Sequence, residues 1–212
     1  MTAIEMQKLF ETKLYSISPV FNDTEKIDTD TIFRYINTYQ SDLVRTLYQE
    51  GNTDLLKKIV VDSSNITPTE NTSVSNSVYY TFSDVSTPNF LYYLRSRSKY
   101  NRTLPKEVTS IKYVYNEEIK KEDLDQFITS AFNKPFFRIP KSFISNNTLN
   151  IISDAYTTIT GVIVTYIRKP IEIGNNDCEL DESLHTLIVD GALNLFISHK
   201  TMLKSSPQPK DT

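Results

Sequence analysis

The stretch Ile159-Thr160-Gly161-Val162-Ile163-Val164-Thr165-Tyr166-Ile167 is apolar or β-branched at nearly every position. Side chains alternate between the two faces of a strand. Ile159, Gly161, Ile163, Thr165 and Ile167 are therefore expected on one face, and Val162, Val164 and Tyr166 on the other. A strand apolar on both faces needs cover on both. This segment is expected to be a central strand of a layered fold, ended by Pro170.

Three more runs carry strand chemistry: Val78-Tyr79-Tyr80-Thr81-Phe82, Ile111-Lys112-Tyr113-Val114-Tyr115 and Leu149-Asn150-Ile151-Ile152. The flanking regions are helical in pattern. Thr2-Ala3-Ile4-Glu5 is a capping box, followed by Met6, Leu9, Phe10 and Leu14 at helical spacing and closed by Ser18-Pro19. Asp28 is the expected N-cap of a second helix with Ile32, Ile36, Tyr39, Leu43 and Leu47 in one stripe and Gly51 as its stop. Thr53 to about Val61 reads as a short helix, although Ile59-Val60-Val61 also suits a strand. Lys121 to Phe132 has the acidic start and the Leu124, Phe127, Ile128, Ala131 stripe of a short helix. The last helix runs from Glu182 to about Leu203, capped by Asp181, with Leu184, Leu187, Ile188, Ala192, Leu195, Phe196 and Met202 as its apolar stripe.

This order predicts an α+β fold in which N-terminal helices and a long C-terminal helix pack with a mostly antiparallel β-sheet region. Residues 1–61 with 181–204 form the expected helical part, and 74–173 the β-rich part. Residues 62–77, rich in Ser, Thr and Asn, read as an exposed loop, and 205–212 as a tail.

Composition excludes several function classes. The net charge of −3 argues against a surface that tracks nucleic acid throughout. One cysteine, Cys178, leaves no intramolecular disulfide and no cysteine-based zinc site. The run Met1-Thr2-Ala3-Ile4-Glu5-Met6 lacks a signal-peptide pattern and no stretch reaches the ~18 apolar residues of a membrane span, so a reducing cytosol is the expected place of synthesis.

Catalytic chemistry finds little footing, and no cofactor or metal is expected. His185 and His199 lie 14 positions apart on one predicted helix, which separates them by about 21 Å along the axis. They cannot share a ligand, and each reads as a polar helix residue. Cys178 sits between Asp177 and Glu179, whose charges would raise a thiol pKa; it reads as a packing residue. The four glycines, Gly51, Gly161, Gly174 and Gly191, are isolated and build no phosphate loop. Glu117, Glu118, Glu122, Asp123 and Asp125 cluster without any calcium-loop spacing, and a solvated helix start explains them. A hydrolase using these acids has no positive support, and the chain is expected not to be an enzyme.

One charge pattern points to binding. Arg95, Arg97 and Lys99 alternate, so a strand would bring all three to one face, with Arg102 close by. Such a stripe can face DNA phosphates or an acidic partner. The same charges also suit an ordinary edge strand guarded against unwanted pairing.

Asn133-Lys134-Pro135-Phe136, Asp154 and the strand end Tyr166-Ile167-Arg168-Lys169-Pro170 are followed by Asp177-Cys178-Glu179-Leu180 and Leu184-His185-Thr186-Leu187-Ile188-Val189-Asp190-Gly191-Ala192. This order resembles the neck, or ring, proteins of tailed phages, in particular those of crAss-like phages. The short first helix and the long helix after Asp28-Thr29-Asp30 are also similar to such proteins. The likeness is strongest over 133–196, and Asp181 departs from it where proline would be expected. The resemblance implies a virion protein similar to the gatekeepers and adaptors of short-tailed phages. Such a protein is made in the bacterial cytoplasm and forms a homo-oligomeric ring, dodecameric by analogy. It sits between the portal protein and the neighbouring tail proteins, around the packaged DNA and away from any membrane. The long last helix and the helix from Asp28 to Tyr48 become the candidate subunit or portal contacts. Arg95, Arg97, Lys99 and Arg102 become candidates for the channel-facing or partner-facing surface. The alternative is a DNA-binding accessory protein that uses the same basic strand face.

Overall fold

The computed structural model describes residues 1–17, 27–74, 76–81, 89–102, 112–130, 132–136 and 138–205, with the side chains of 102, 112 and 202–205 left aside. The expected positions of Ser18, Pro19, Phe82, Ile111 and Ala131, the side chain of Met202 and the tail from 206 lie outside the described residues. The fold is α+β, and the chain divides into a helical unit, 1–59 with 169–212, and a β-rich unit, 60–168.

In the helical unit α1 (Ala3–Ile17) opens on the capping box: the Glu5 amide donates to Thr2 Oγ1 at 3.2 Å, and the Thr2 amide to Glu5 Oε2 at 2.8 Å. The second helix, α2 (Thr29–Gln49), begins at Asp28, but no side-chain hydrogen bond caps it there. Its end is the expected one. Gly51 takes φ +76°, a conformation that costs glycine little, while the Gly51 and Asn52 amides close onto the Tyr48 and Leu47 carbonyls. A 3₁₀ helix, Thr53–Ile59, follows.

The last helix is α4 (Glu182–Ser205), numbered after the short helix α3 (Leu124–Thr129) of the β-rich unit. Its core face holds Leu184, Ile188, Val189, Ala192, Leu193 and Phe196, all buried. Leu187, expected within the stripe, is 46% exposed. Phe196 meets Phe10 of α1 and Tyr35 of α2 edge-on, with ring centroids 5.9 and 5.3 Å away.

The β-rich unit contains β1 (Val60–Asp62), β2 (Thr69–Asn71), β3 (Ser77–Thr81), β4 (Phe90–Arg102), β5 (Lys112–Tyr115), β6 (Glu117–Glu118), the short helix α3 (Leu124–Thr129), β7 (Lys141–Ser145), β8 (Thr148–Ile152) and β9 (Thr157–Arg168). Sheet A has the order β1-β9-β4-β5 and sheet B the order β2-β3-β8-β7-β6; every pairing is antiparallel except β6 with β7. Tyr80, Leu149 and Ile151 of sheet B pack against Tyr93, Ile159, Val162, Val164 and Tyr166 of sheet A. On the other side of sheet B, Phe143, Ile152 and Ile119 are covered by Leu124 and Phe127 of α3. The layers therefore run sheet A, sheet B, α3.

Three sequence expectations are corrected. Ile159 belongs with the inner residues Val162, Val164 and Tyr166, because the register shifts between Lys99 and Tyr100 and leaves Thr160 as the extra residue of a bulge. Residues 62–77 are not a plain loop. Ser63 and Ile66 bond backbone to Val164 and Val162 along β9, and β2 pairs with β3, so main-chain bonding supplies the order that side chains do not advertise. Residues 169–173, expected in the β-rich part, group with the helical unit, where Asn37 of α2 exchanges two hydrogen bonds with the Ile173 backbone at 2.7 and 2.9 Å.

Candidate functional site

The outward face of sheet A gathers the cations singled out in the sequence. β4 and β9 keep strict register from Arg95 to Lys99, opposing Arg95 to Thr165, Arg97 to Ile163 and Lys99 to Gly161. Extra residues at Leu94 and Thr160 bound this stretch, so the two-residue alternation holds for these three cations and breaks on either side. Arg102 ends β4 beyond the second break, and its side chain lies outside the described residues.

β5 adds aromatics to the same face, with Tyr115 opposite Arg97 and Tyr113 opposite Lys99. Tyr113 is 46% exposed and Tyr115 58%. The Arg95 guanidinium lies 5.3 Å from the Tyr115 ring centroid, and that of Arg97 lies 5.9 Å from Tyr113. These are diagonal cation–π contacts across the strand pair. Arg97 also donates to Asp62 Oδ2 at 2.8 Å, while Thr165 Oγ1 donates to Asp62 Oδ1 at 2.6 Å. The face is thus a basic and aromatic platform with one carboxylate set in it. Arg95 and Lys99 have no ion-pair partner among the described residues.

The opposite side of β4 is polar and buried, which the sequence pattern alone does not announce. Tyr93 donates to Ser96 Oγ at 3.0 Å, Asn116 Nδ2 to Ser96 Oγ at 2.8 Å, and Ser98 Oγ to Asn116 Oδ1 at 2.7 Å. This network ties the residue after β5 beneath β4 and so fixes where Tyr113 and Tyr115 stand. Burial pushes the Tyr93 phenol above its ordinary pKa.

The other sequence candidates do not converge on chemistry. His185 is buried: its Nε2 lies 3.1 Å from the Leu180 carbonyl oxygen, and its Nδ1 2.7 Å from the Met1 amino group. His199 is exposed and pairs with the Tyr35 hydroxyl at 2.7 Å. Cys178 is buried, and burial rather than its acidic neighbours is the main cause of its raised pKa. Of the clustered acids, Glu117 pairs at 2.7 Å with Lys141, which is buried against the Phe127 ring. No group of three metal-ligating side chains occurs among the described residues.

No family model and no curated protein matches the chain.

Proposed function

We propose that this chain is a virion structural protein, a ring-forming head-to-tail connector subunit that joins the portal to the tail around the DNA channel and helps retain packaged DNA. The sequence motifs over 133–196 support the class. The observation that carries the reading is the platform of Arg95, Arg97, Lys99, Tyr113 and Tyr115, a surface made for contact with a macromolecule rather than for chemistry on a small one. The helical unit offers the outer surfaces of α2 and α4 as candidate contacts with the portal or a neighbouring subunit. No described helix is long and apolar enough to cross a membrane.

Native mass tests the proposal, measured on the protein alone and mixed with the cognate portal ring. Twelve subunits of 24.4 kDa give about 293 kDa. A closed ring in either condition supports the connector; a monomer that ignores the portal defeats it. A DNA-binding accessory protein is the second reading, favoured by Arg95 and Lys99, which have no ion-pair partner among the described residues. It requires duplex affinity that falls by about 0.9 logarithmic units per phosphate contact for each tenfold rise in salt.

A further inference from the structure

The two outer layers of the β-rich unit differ in character. One is the outward face of sheet A, with Arg95 and Lys99 beside the exposed rings of Tyr113 and Tyr115. The other lies beyond sheet B, on the α3 side. There Glu117 pairs with Lys141, and Glu122, Asp123 and Asp125 stand against Lys120 and Lys121. Glu122 and Asp125 are exposed, and Lys121 is directed to Ser145 Oγ at 3.2 Å. Next to this acidic end, Ile128 is 42% exposed and Phe132 96%. An aromatic ring left almost wholly in water is apolar surface that a partner can bury.

We infer that the outward face of sheet A in one copy docks on the α3 face of the next copy of this chain. The inference rests on the ring reading and gives that ring its subunit interface. Three observations favour a second copy over a nucleic acid. The charges are complementary, Arg95 and Lys99 against Glu122 and Asp125. Arginine and tyrosine together are what buried protein interfaces enrich, and Phe132 supplies the apolar anchor from the opposite side. Asp62 sits within the basic face and neutralises Arg97 at 2.8 Å, which suits a mixed protein contact and opposes a row of phosphates. The geometry also fits. A closed ring needs head-to-tail contacts between two different patches of each subunit, and these two lie on opposite sides of one unit.

The test uses two full-length variants. R95E/K99E spoils the basic face, and D125A/F132D spoils the α3 face; far-ultraviolet circular dichroism and melting confirm that each folds. Each variant alone should be monomeric at concentrations where the wild type assembles. Mixed, they should form a 1:1 pair of about 49 kDa and nothing larger, because each retains one intact patch. Wild type that stays monomeric up to about 1 mM overturns the inference. Variants that assemble like the wild type overturn it too, yet leave the ring reading standing on other faces. R95E/K99E that loses duplex DNA affinity while keeping its self-association assigns the platform to nucleic acid and also overturns it.

Discussion

Gly191 of α4 lies directly under the ring of Tyr39 in α2: a Cβ on Gly191 would stand 2.0 Å from Tyr39 Cζ. Glycine in a helix interior costs about 1 kcal/mol relative to alanine, and here it permits the ring to seat against the helix backbone. Gly191→Ala should lower stability in the wild type by about 1–2 kcal/mol, since overpacking outweighs the gain in helix propensity. In a Tyr39→Ala background the same change should raise stability by about 0.5–1 kcal/mol. A four-member urea-unfolding cycle measures both, and an equal effect in the two backgrounds would show that ring and glycine are uncoupled.

The two histidines should differ in what their removal costs. A carbonyl only accepts, so His185 Nε2 carries the proton toward Leu180, and Nδ1 turns its lone pair to the Met1 amino group. His185→Ala removes buried volume and these bonds together. Lys58 keeps a donor on the Leu180 carbonyl at 3.3 Å, so the expected loss is about 1–2 kcal/mol. His199→Ala removes an exposed contact with Tyr35 and should change stability by less than about 0.5 kcal/mol. Equal effects in chemical denaturation would contradict the contrast in burial.

Much of this architecture is legible from side-chain order, and the failures have a common physical origin. The Thr2–Glu5 capping box and the Gly51 stop are local devices, written in adjacent residues, and both form. The cation stripe follows from alternation alone. Its aromatic half does not, because Tyr113 and Tyr115 reach Arg95 and Arg97 only through the β4–β5 register. Ile159 changes face because of a bulge whose extra residue is an ordinary threonine. The strand Lys141–Ser145 gives no apolar alternation, since its first side chain is a lysine held inside by a glutamate 24 positions away. The pairing of 63–66 with β9 uses backbone groups, which every sequence possesses equally.

That lysine makes a sharper prediction. The Lys141 side chain is 6% exposed and its Nζ sits 2.7 Å from Glu117 Oε2 and 4.9 Å from the Phe127 ring centroid. Removing the acid alone strands a buried ammonium, whereas removing both charges leaves apolar surface in an apolar place. Glu117→Leu should cost about 2–3 kcal/mol, less than for a fully buried pair because the Glu117 side chain is 49% exposed. Lys141→Met should cost under about 1 kcal/mol, and the double variant should recover most of the single loss. Thermal melts of the three variants decide it. A double variant less stable than Glu117→Leu would mean that the ammonium contributes more through Phe127 than through its carboxylate.

Cys178 makes the stability of the helical unit sensitive to alkaline pH. Burial pushes its thiol above the ordinary pKa of 9.0, outweighing the Leu180 amide hydrogen bond and the nearby Met1 amino group, which pull it down. A thiol with a raised folded-state pKa stabilises the fold fully below the pKa of the unfolded chain. Above that pH the unfolded thiol ionises first, so the contribution drains away as pH rises from about 9 toward the folded value. The buried Tyr93 and Tyr166 phenols, also raised, add the same loss only from about 10 upward. Between these two thresholds the cysteine adds to the decline before the two phenols do. Cys178→Ala should therefore be less stable than the wild type at pH 7, through lost packing, and should show a flatter fall between pH 9 and 10. Urea midpoints at those pH values check the slope, and a thiol-specific reagent checks the burial, since it should label the chain at pH 8 only once denaturant opens it. Parallel pH slopes in the two proteins, or fast labelling without denaturant, would place the Cys178 thiol in contact with water.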